Sequence, residues 1–354
     1  MKPRDRVLKA LRHEQPDRVP LFYRDVPEVD QRLRRDLSID SRDELLGLLK
    51  IDFRWVEPRY VGPPLEDAAT GRRRSIWGVE YRYLEAGHGG YWETVASPLA
   101  GVQEVTVLDD YPWPRLDWFD FSVVAEQVRR YDDFAIMTAP GVASPDVIAT
   151  IQDLLGMEQT FLAMKLCPEF FSALVERILQ FDLALVEQIH QAAGGRIDFF
   201  RTGSDFGTQR GLLLGIDEWK RFFRPALAAM GSVARCFGAH HYHHTCGGVR
   251  PLIPHLIDCG IEVLDPLQVT AAGMAPAGLK ADFGDQVCFS GGVDEQQLLR
   301  VGSTKDVCRG VRGLLDVMAP GGGFFVGPTH NFQTDIPTAN ILAMYEAARQ
   351  WRYP

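Results

Sequence analysis

Short apolar runs, too brief for helices and bounded by turn residues, alternate along the chain with longer stretches of helical period. Eight runs stand out: VPLFY (19–23), IDFRWVE (51–57), FAIMTAP (134–140), RIDFFRTG (196–203), AHHYHHTC (239–246), EVLDP (262–266), VCFSGG (287–292) and FFVGP (324–328). Between them the helical period is clearest in residues 167–195. There Phe171, Leu174, Val175, Ile178, Leu179 and Val186 fall on one face, with Pro168 opening the helix and Gly194 closing it.

Eight strands alternating with helices predict an α/β protein of the (β/α)8 TIM barrel type, with a doubly wound open sheet as the alternative. The 354 residues accommodate such a barrel plus insertions. The widest interval separates the second and third runs. In it, SIWGVEYRYLEAGHGGYWETVASPL (75–99) alternates aromatic and polar residues around EAGHGG. This pattern predicts an antiparallel hairpin inserted after the second strand, within residues 60–115, over one barrel mouth. No repeat or linker interrupts the chain, so 1–354 is expected to be a single domain.

The net charge of −9 argues against a nucleic-acid partner, whose phosphates demand clustered Lys and Arg, and favours a small-molecule substrate. No apolar run approaches the roughly 20 residues that span a bilayer, and the charged amino terminus lacks a signal-peptide core. The expectation is a cytoplasmic protein with no membrane partner. The oligomeric state is left open. The six cysteines are scattered through predicted helices and strands, as suits reduced thiols.

Reacting groups of a parallel barrel sit at the carboxyl ends of its strands. The residues closing the runs are polar here: Tyr23, Arg24 and Asp25 after the first; Arg201, Asp205 and Gln209 around the fourth; His244 and Cys246 on the fifth; Asp265 on the sixth. Asp294 follows the seventh, and Thr329, His330 and Asn331 the eighth. Read as a strand, HHYHHTC places His240, Tyr242, His244 and Cys246 on one face and His241, His243 and Thr245 on the other. Two positions span roughly 7 Å, which an imidazole and a thiolate can close onto one ion. His244 and Cys246 are therefore a candidate ligand pair, with His330 the candidate third ligand. His240, His241 and His243 read more simply as hydrogen-bonded structural histidines. Asp205 and Asp265 have competing readings as turn or capping residues, and Asp294 reads as a helix N-cap.

With these residues in view, the chain resembles the uroporphyrinogen decarboxylase superfamily, which also contains the cobalamin-dependent methyltransferases. The resemblance is carried by RVLKALRHEQPDRVPL, SDFGTQRGLLLGIDEWKRFFRPAL, HHTCGG, FSGGVDEQQLL and GPTHNFQTDIPTANILAMYEAAR, and covers nearly the whole chain. It implies a (β/α)8 barrel. True decarboxylases carry an arginine-rich segment of the form RQAGRYLPEYR after the first strand, to grip substrate carboxylates. Here YRDVPEVDQRL keeps Arg24 alone in a matching place, and Asp25 and Glu28 add the opposite charge. The HTCG on the fifth run matches the H-x-C-G of the zinc methyltransferases, and HNFQTDIP puts His330 where those proteins carry a third, cysteine ligand.

The resemblance thus implies zinc held by His244, Cys246 and His330, and methyl transfer between a corrinoid and a small acceptor, most simply a thiol. Asp205 would orient a ligand or take a proton, while Tyr23 and Gln209 would line the pocket. The chain has no D-x-H-x-x-G cobalamin motif, so a separate corrinoid protein is the expected partner. The alternative is decarboxylation of a tetrapyrrole or smaller carboxylate without metal, with Arg24, Arg201 and Arg210 as anion clamps and Asp205 stabilising a protonated intermediate. Asp265 is placed among the substrate-binding residues in either case. A third class is a non-catalytic barrel that binds a corrinoid or metabolite.

Overall fold

Seven of the eight apolar runs form parallel strands arranged in chain order, each hydrogen-bonded to the next. They are β1 (Phe53–Val56), β2 (Ala135–Thr138), β3 (Phe199–Gly203), β4 (His240–His244), β5 (Val263–Asp265), β6 (Cys288–Val293) and β7 (Phe324–Pro328). The computed structural model describes residues 1–67, 70–86 and 89–354. The first run contributes a single parallel bridge, Leu21 to Val326. Around that bridge the Phe22 N–H donates to the Val326 carbonyl at 2.9 Å, and the Asp52 N–H donates to the Leu21 carbonyl at 3.1 Å. Residues 20–22 thereby lie between β7 and the start of β1, so the parallel sheet curls around an interior.

Alternation along the strands fills that interior in layers. Phe22, Phe53, Ala135, Phe199, Val263, Cys288 and Phe325 make an apolar plug with Tyr242. The helix Pro3–Leu11 seals it from the amino-terminal side through Val7, Ala10 and Leu11. Two positions further along the same faces the side chains turn polar: Arg24, Arg201, His244, Asp265 and Ser290. The opposite faces of the strands pack on the surrounding helices. The longest of these, Pro168–Ala193, starts at its proline and stops at Gly194, which adopts φ +60°. Its apolar face buries Phe171, Leu174, Val175, Ile178 and Val186 as the period predicts.

Between β1 and β2 the chain adds a four-stranded antiparallel sheet. In it Glu80–Ala86 pairs antiparallel with Gly89–Ala96. Gly87 and His88, in the EAGHGG stretch expected at the hairpin tip, lie outside the described residues. Tyr81 anchors this sheet by donating its hydroxyl to Asp153 at 2.6 Å, and Trp77 packs edge-on against Phe181 of the long helix at 5.2 Å. Among the described residues no helix is long and apolar enough to cross a membrane, and all six cysteines are free thiols.

Candidate functional site

Strand β4 carries four histidines, and the pleat sorts them. His241 and His243 face the helices, where Nε2 of one and Nδ1 of the other each lie 2.8 Å from the Thr202 hydroxyl. They stack on Phe200 and Phe206, respectively. His240, at the strand's start, pairs with Glu262. His244 is the last residue of the strand and points to the interior, where it is 8% exposed. Cys246 lies two residues beyond, in a loop rather than on the strand.

That loop is fixed by close backbone approach. A Cβ on Gly207 would sit 2.4 Å from the Cys246 carbonyl oxygen, and one on Gly247 (φ +89°) would sit 2.4 Å from the Gly207 carbonyl carbon. Only glycines allow the two loops to touch. Hydrogen bonds then lock them: the Cys246 N–H donates to Asp205 Oδ1 at 2.8 Å, the Gly247 N–H to Gln268 Oε1 at 2.6 Å and the Thr245 N–H to the Asp265 carbonyl at 2.7 Å.

The result is a convergence. Cys246 Sγ lies 3.4 Å from His244 Nε2, and each of His244, Cys246 and His330 offers a donor atom within 4.8 Å of the others. Zinc bound tetrahedrally to a thiolate and an imidazole holds their donor atoms about 3.6 Å apart, so the first pair fits one ion as it stands. His330 needs to approach by roughly 1 Å, a side-chain adjustment. Asp205 Oδ1 lies 3.7 Å from the same Nε2, with its carboxylate half exposed.

Behind the imidazole, Asp265 is completely buried, and its Oδ2 lies 2.8 Å from His244 Nδ1 and 2.9 Å from Arg24 Nη1. Arg24 Nη1 is also 3.0 Å from His244 Nδ1. Two donors cannot bond one another, so the shared carboxylate decides: it accepts from both, His244 carries its proton on Nδ1, and Nε2 keeps a lone pair toward Cys246. Arg24 Nη2 donates to the Thr329 carbonyl at 3.1 Å. Arg201 donates from Nη1 to the Ser144 hydroxyl at 2.8 Å.

The electrostatics follow from this geometry. Burial opposes ionisation of Asp265, but Arg24, His244 and Arg201 outweigh it and hold the carboxyl below its usual range. Burial pushes His244 down, with Arg24 adding to the effect, and brings His330 to about 4. Both imidazoles are neutral near pH 7, the form that ligates metal. Burial and the Asp205 charge push the Cys246 thiol up, the direction a bound cation would reverse.

Several expected residues fall elsewhere. Tyr23 does not line the interior: on the bridging segment Phe22 and Arg24 point inward, so Tyr23 points outward. There it is 1% exposed, packs against Phe332 and Tyr345 and donates to Asp25 at 2.6 Å. Gln209 and Arg210 occupy the exposed turn of a small hairpin joining Gly207–Thr208 to Gly211–Leu212. Asp294 caps its helix by accepting from the N–H groups of Gln296, Gln297 and Leu298. Glu295, which the sequence reading passed over, is pushed to about 7 by burial against the pull of Arg24. A groove of about 310 Å3 whose lining includes Arg24, Asp25, Arg42, Arg54, Trp55 and Asn331 reaches the histidine and cysteine cluster through Arg24 and Asn331.

The family model described as uroporphyrinogen decarboxylase (URO-D) matches residues 139–351. Among solved structures, a methyltransferase from Methanosarcina mazei shares the fold, with a TM-score of 0.70 at 16% identity over 99% of both chains. An L-ribulose 3-epimerase aligns over 68% of this chain and 75% of its own, with a TM-score of 0.34 and 11% identity. A sugar phosphate isomerase/epimerase from Parabacteroides distasonis covers 68% and 80%, with a TM-score of 0.31 and 11% identity. No curated protein matches in sequence.

Proposed function

The chain belongs to the uroporphyrinogen decarboxylase (URO-D) family, and from that premise we propose that it is a metal-dependent methyltransferase moving a methyl group between a corrinoid, carried by a partner protein, and a small acceptor. The observation that carries this reading is the convergence of His244 Nε2, Cys246 Sγ and a His330 nitrogen at the carboxyl end of the barrel. One sulfur and two nitrogens form a borderline-soft donor set suited to zinc. The chemistry that zinc supplies in such a set is the lowering of a thiol acceptor's pKa, so that thiolate forms near neutrality.

The protein's own residues do the rest. Asp265 fixes the His244 tautomer, and Arg24 keeps Asp265 ionised by donating to it. Asp205 holds the Cys246 loop through its backbone N–H and keeps a half-exposed carboxylate beside the cluster, where it accepts the proton released by an incoming thiol. The adjoining groove sets Trp55, Ala139 and Pro140 among the charged side chains of Arg24, Asp25, Arg42, Arg54 and Glu57, and gives a small polar acceptor room to lie. The free thiols suit a cytoplasmic setting.

Decarboxylation of a tetrapyrrole is the weaker reading. The Nη atoms of Arg24 already serve Asp265 and Thr329, Arg210 is exposed on a hairpin turn, and Asp25 lies beside Arg24 in sequence. The test is protein purified without added metal. Equimolar zinc with one sulfur ligand at the zinc absorption edge, together with demethylation of free methylcobalamin by 2-mercaptoethanol, supports methyl transfer. Metal-free protein that consumes uroporphyrinogen overturns it.

A further inference from the structure

A cavity of about 360 Å3 lies between the inserted antiparallel sheet and the rim of the barrel, apart from the histidine and cysteine cluster. Its aromatic wall is made by Trp77, Tyr81, Trp92 and Phe181, and three carboxyls line it: Asp146, Asp182 and Asp153, the last engaged by the Tyr81 hydroxyl. Asp146 caps the helix Val147–Leu155 by accepting the Ala149 N–H through Oδ1. Asp182 has no comparable duty. It sits on the buried face of Pro168–Ala193, in line with Phe171, Val175 and Ile178 before it and Leu185 and Val186 after it, where the helical period calls for an apolar residue. It is 5% exposed, and among the described residues its Oδ2 accepts no hydrogen bond.

A buried carboxyl with an idle oxygen costs free energy in the empty protein and marks a place where a partner is missing. Burial and the neighbouring Asp146 push Asp182 well above the usual carboxylate range, and burial brings Asp146 to about 6. A cation set between them offsets that strain by charge and by N–H donation. The aromatic faces lining the same space carry the negative quadrupole that also favours a cation. Of the two basic residues at the rim, Arg74 pairs with Glu80, and Arg73 lies 5.8 Å from the centroid of the Trp92 ring. An anion would meet the carboxyls of Asp146, Asp153 and Asp182.

We infer that this cavity binds a small protonated amine, its ammonium group between Asp182 and Asp146 and its apolar or aromatic body against Trp77 and Phe181. The site goes beyond methyl transfer and needs neither turnover nor metal to be observed. It is tested by titrating the full chain with phenethylamine, phenethyl alcohol and 3-phenylpropionate, following heat and tryptophan fluorescence. The amine is expected to bind at least about tenfold more tightly than the alcohol, and the carboxylate more weakly than either. Asp182→Asn is expected to reduce amine affinity by at least about tenfold while unfolding at a temperature no lower than the parent, because it removes a buried, unpaired carboxyl. Asp182→Leu, which restores the apolar stripe, should abolish binding with a raised unfolding temperature. Equal affinity for amine and alcohol, preference for the carboxylate, no amine binding, or undiminished amine affinity in folded Asp182→Asn would overturn the assignment.

Discussion

Asp265 Oδ2 lies 2.8 Å from His244 Nδ1, on the side of the imidazole away from Cys246. The carboxylate is fully buried and held ionised by Arg24, so the pair forms a rigid support whose only free imidazole nitrogen faces the sulfur. The position of Nε2 is thus decided by a residue outside the trio of His244, Cys246 and His330.

Replacing this support is expected to weaken zinc binding without removing a ligand. Asp265→Asn keeps the side-chain volume but loses the charge that favours Nδ1 protonation, and zinc affinity should fall about 10- to 100-fold. Competition against a chromophoric zinc chelator measures it, with circular dichroism to confirm the fold. Unchanged affinity would mean that His244 is not a ligand.

His330 is the member of the cluster that must move to ligate, by about 1 Å. If it ligates, His330→Cys should retain equimolar zinc while the zinc-edge spectrum changes from one sulfur neighbour to two. A spectrum that still reports one sulfur would remove residue 330 from the coordination sphere.

What the sequence made legible follows from where its periodicities are strong. Seven runs with turn residues on both sides became strands, and the alternation in HHYHHTC correctly placed His244 opposite His241 and His243. The first run was ambiguous because VPLFY is apolar at every position. With both faces buried, the pattern could not say whether Phe22 or Tyr23 faced inward, and Tyr23 was assigned to the wrong side. Gln209 failed for another reason: the Gly207–Leu212 hairpin is too short to leave a period. Asp182 carries a readable signal, a charge on an apolar helical stripe, away from the strand ends where a barrel's chemistry is expected.

Closure of the sheet depends on a second buried carboxylate. Asp52 is fully buried and accepts from Arg6 at 2.7 Å, from Arg18 at 2.8 and 2.9 Å, and from the Leu21 N–H at 2.7 Å. It ties the bridging segment and the first helix to the start of β1. Asp52→Ala leaves Arg6 buried without this partner and should cost about 3–5 kcal/mol. Urea denaturation provides the measurement; a loss below about 1 kcal/mol, the range of a surface pair, would show that the network is dispensable.

A separable part of the acid sensitivity is expected to arise from a buried histidine outside the cluster. His190, on the long helix, is fully buried and stacks on Phe237 at 5.0 Å, and among the described residues neither ring nitrogen is hydrogen-bonded. Burial pushes its pKa from 6.5 to about 4. The folded state therefore binds this proton less readily than the unfolded chain does. The stability contribution is complete above pH 6.5 and is lost progressively as pH falls toward 4, reaching about 2 kcal/mol at pH 5. His190→Phe removes the titration and keeps the stacking, so the drop in unfolding free energy between pH 8 and pH 5 should shrink by about 2 kcal/mol. His241, which burial brings to about 3, keeps part of the slope in the variant. Identical pH dependence in the two proteins would show that His190 is solvated or paired before the chain unfolds.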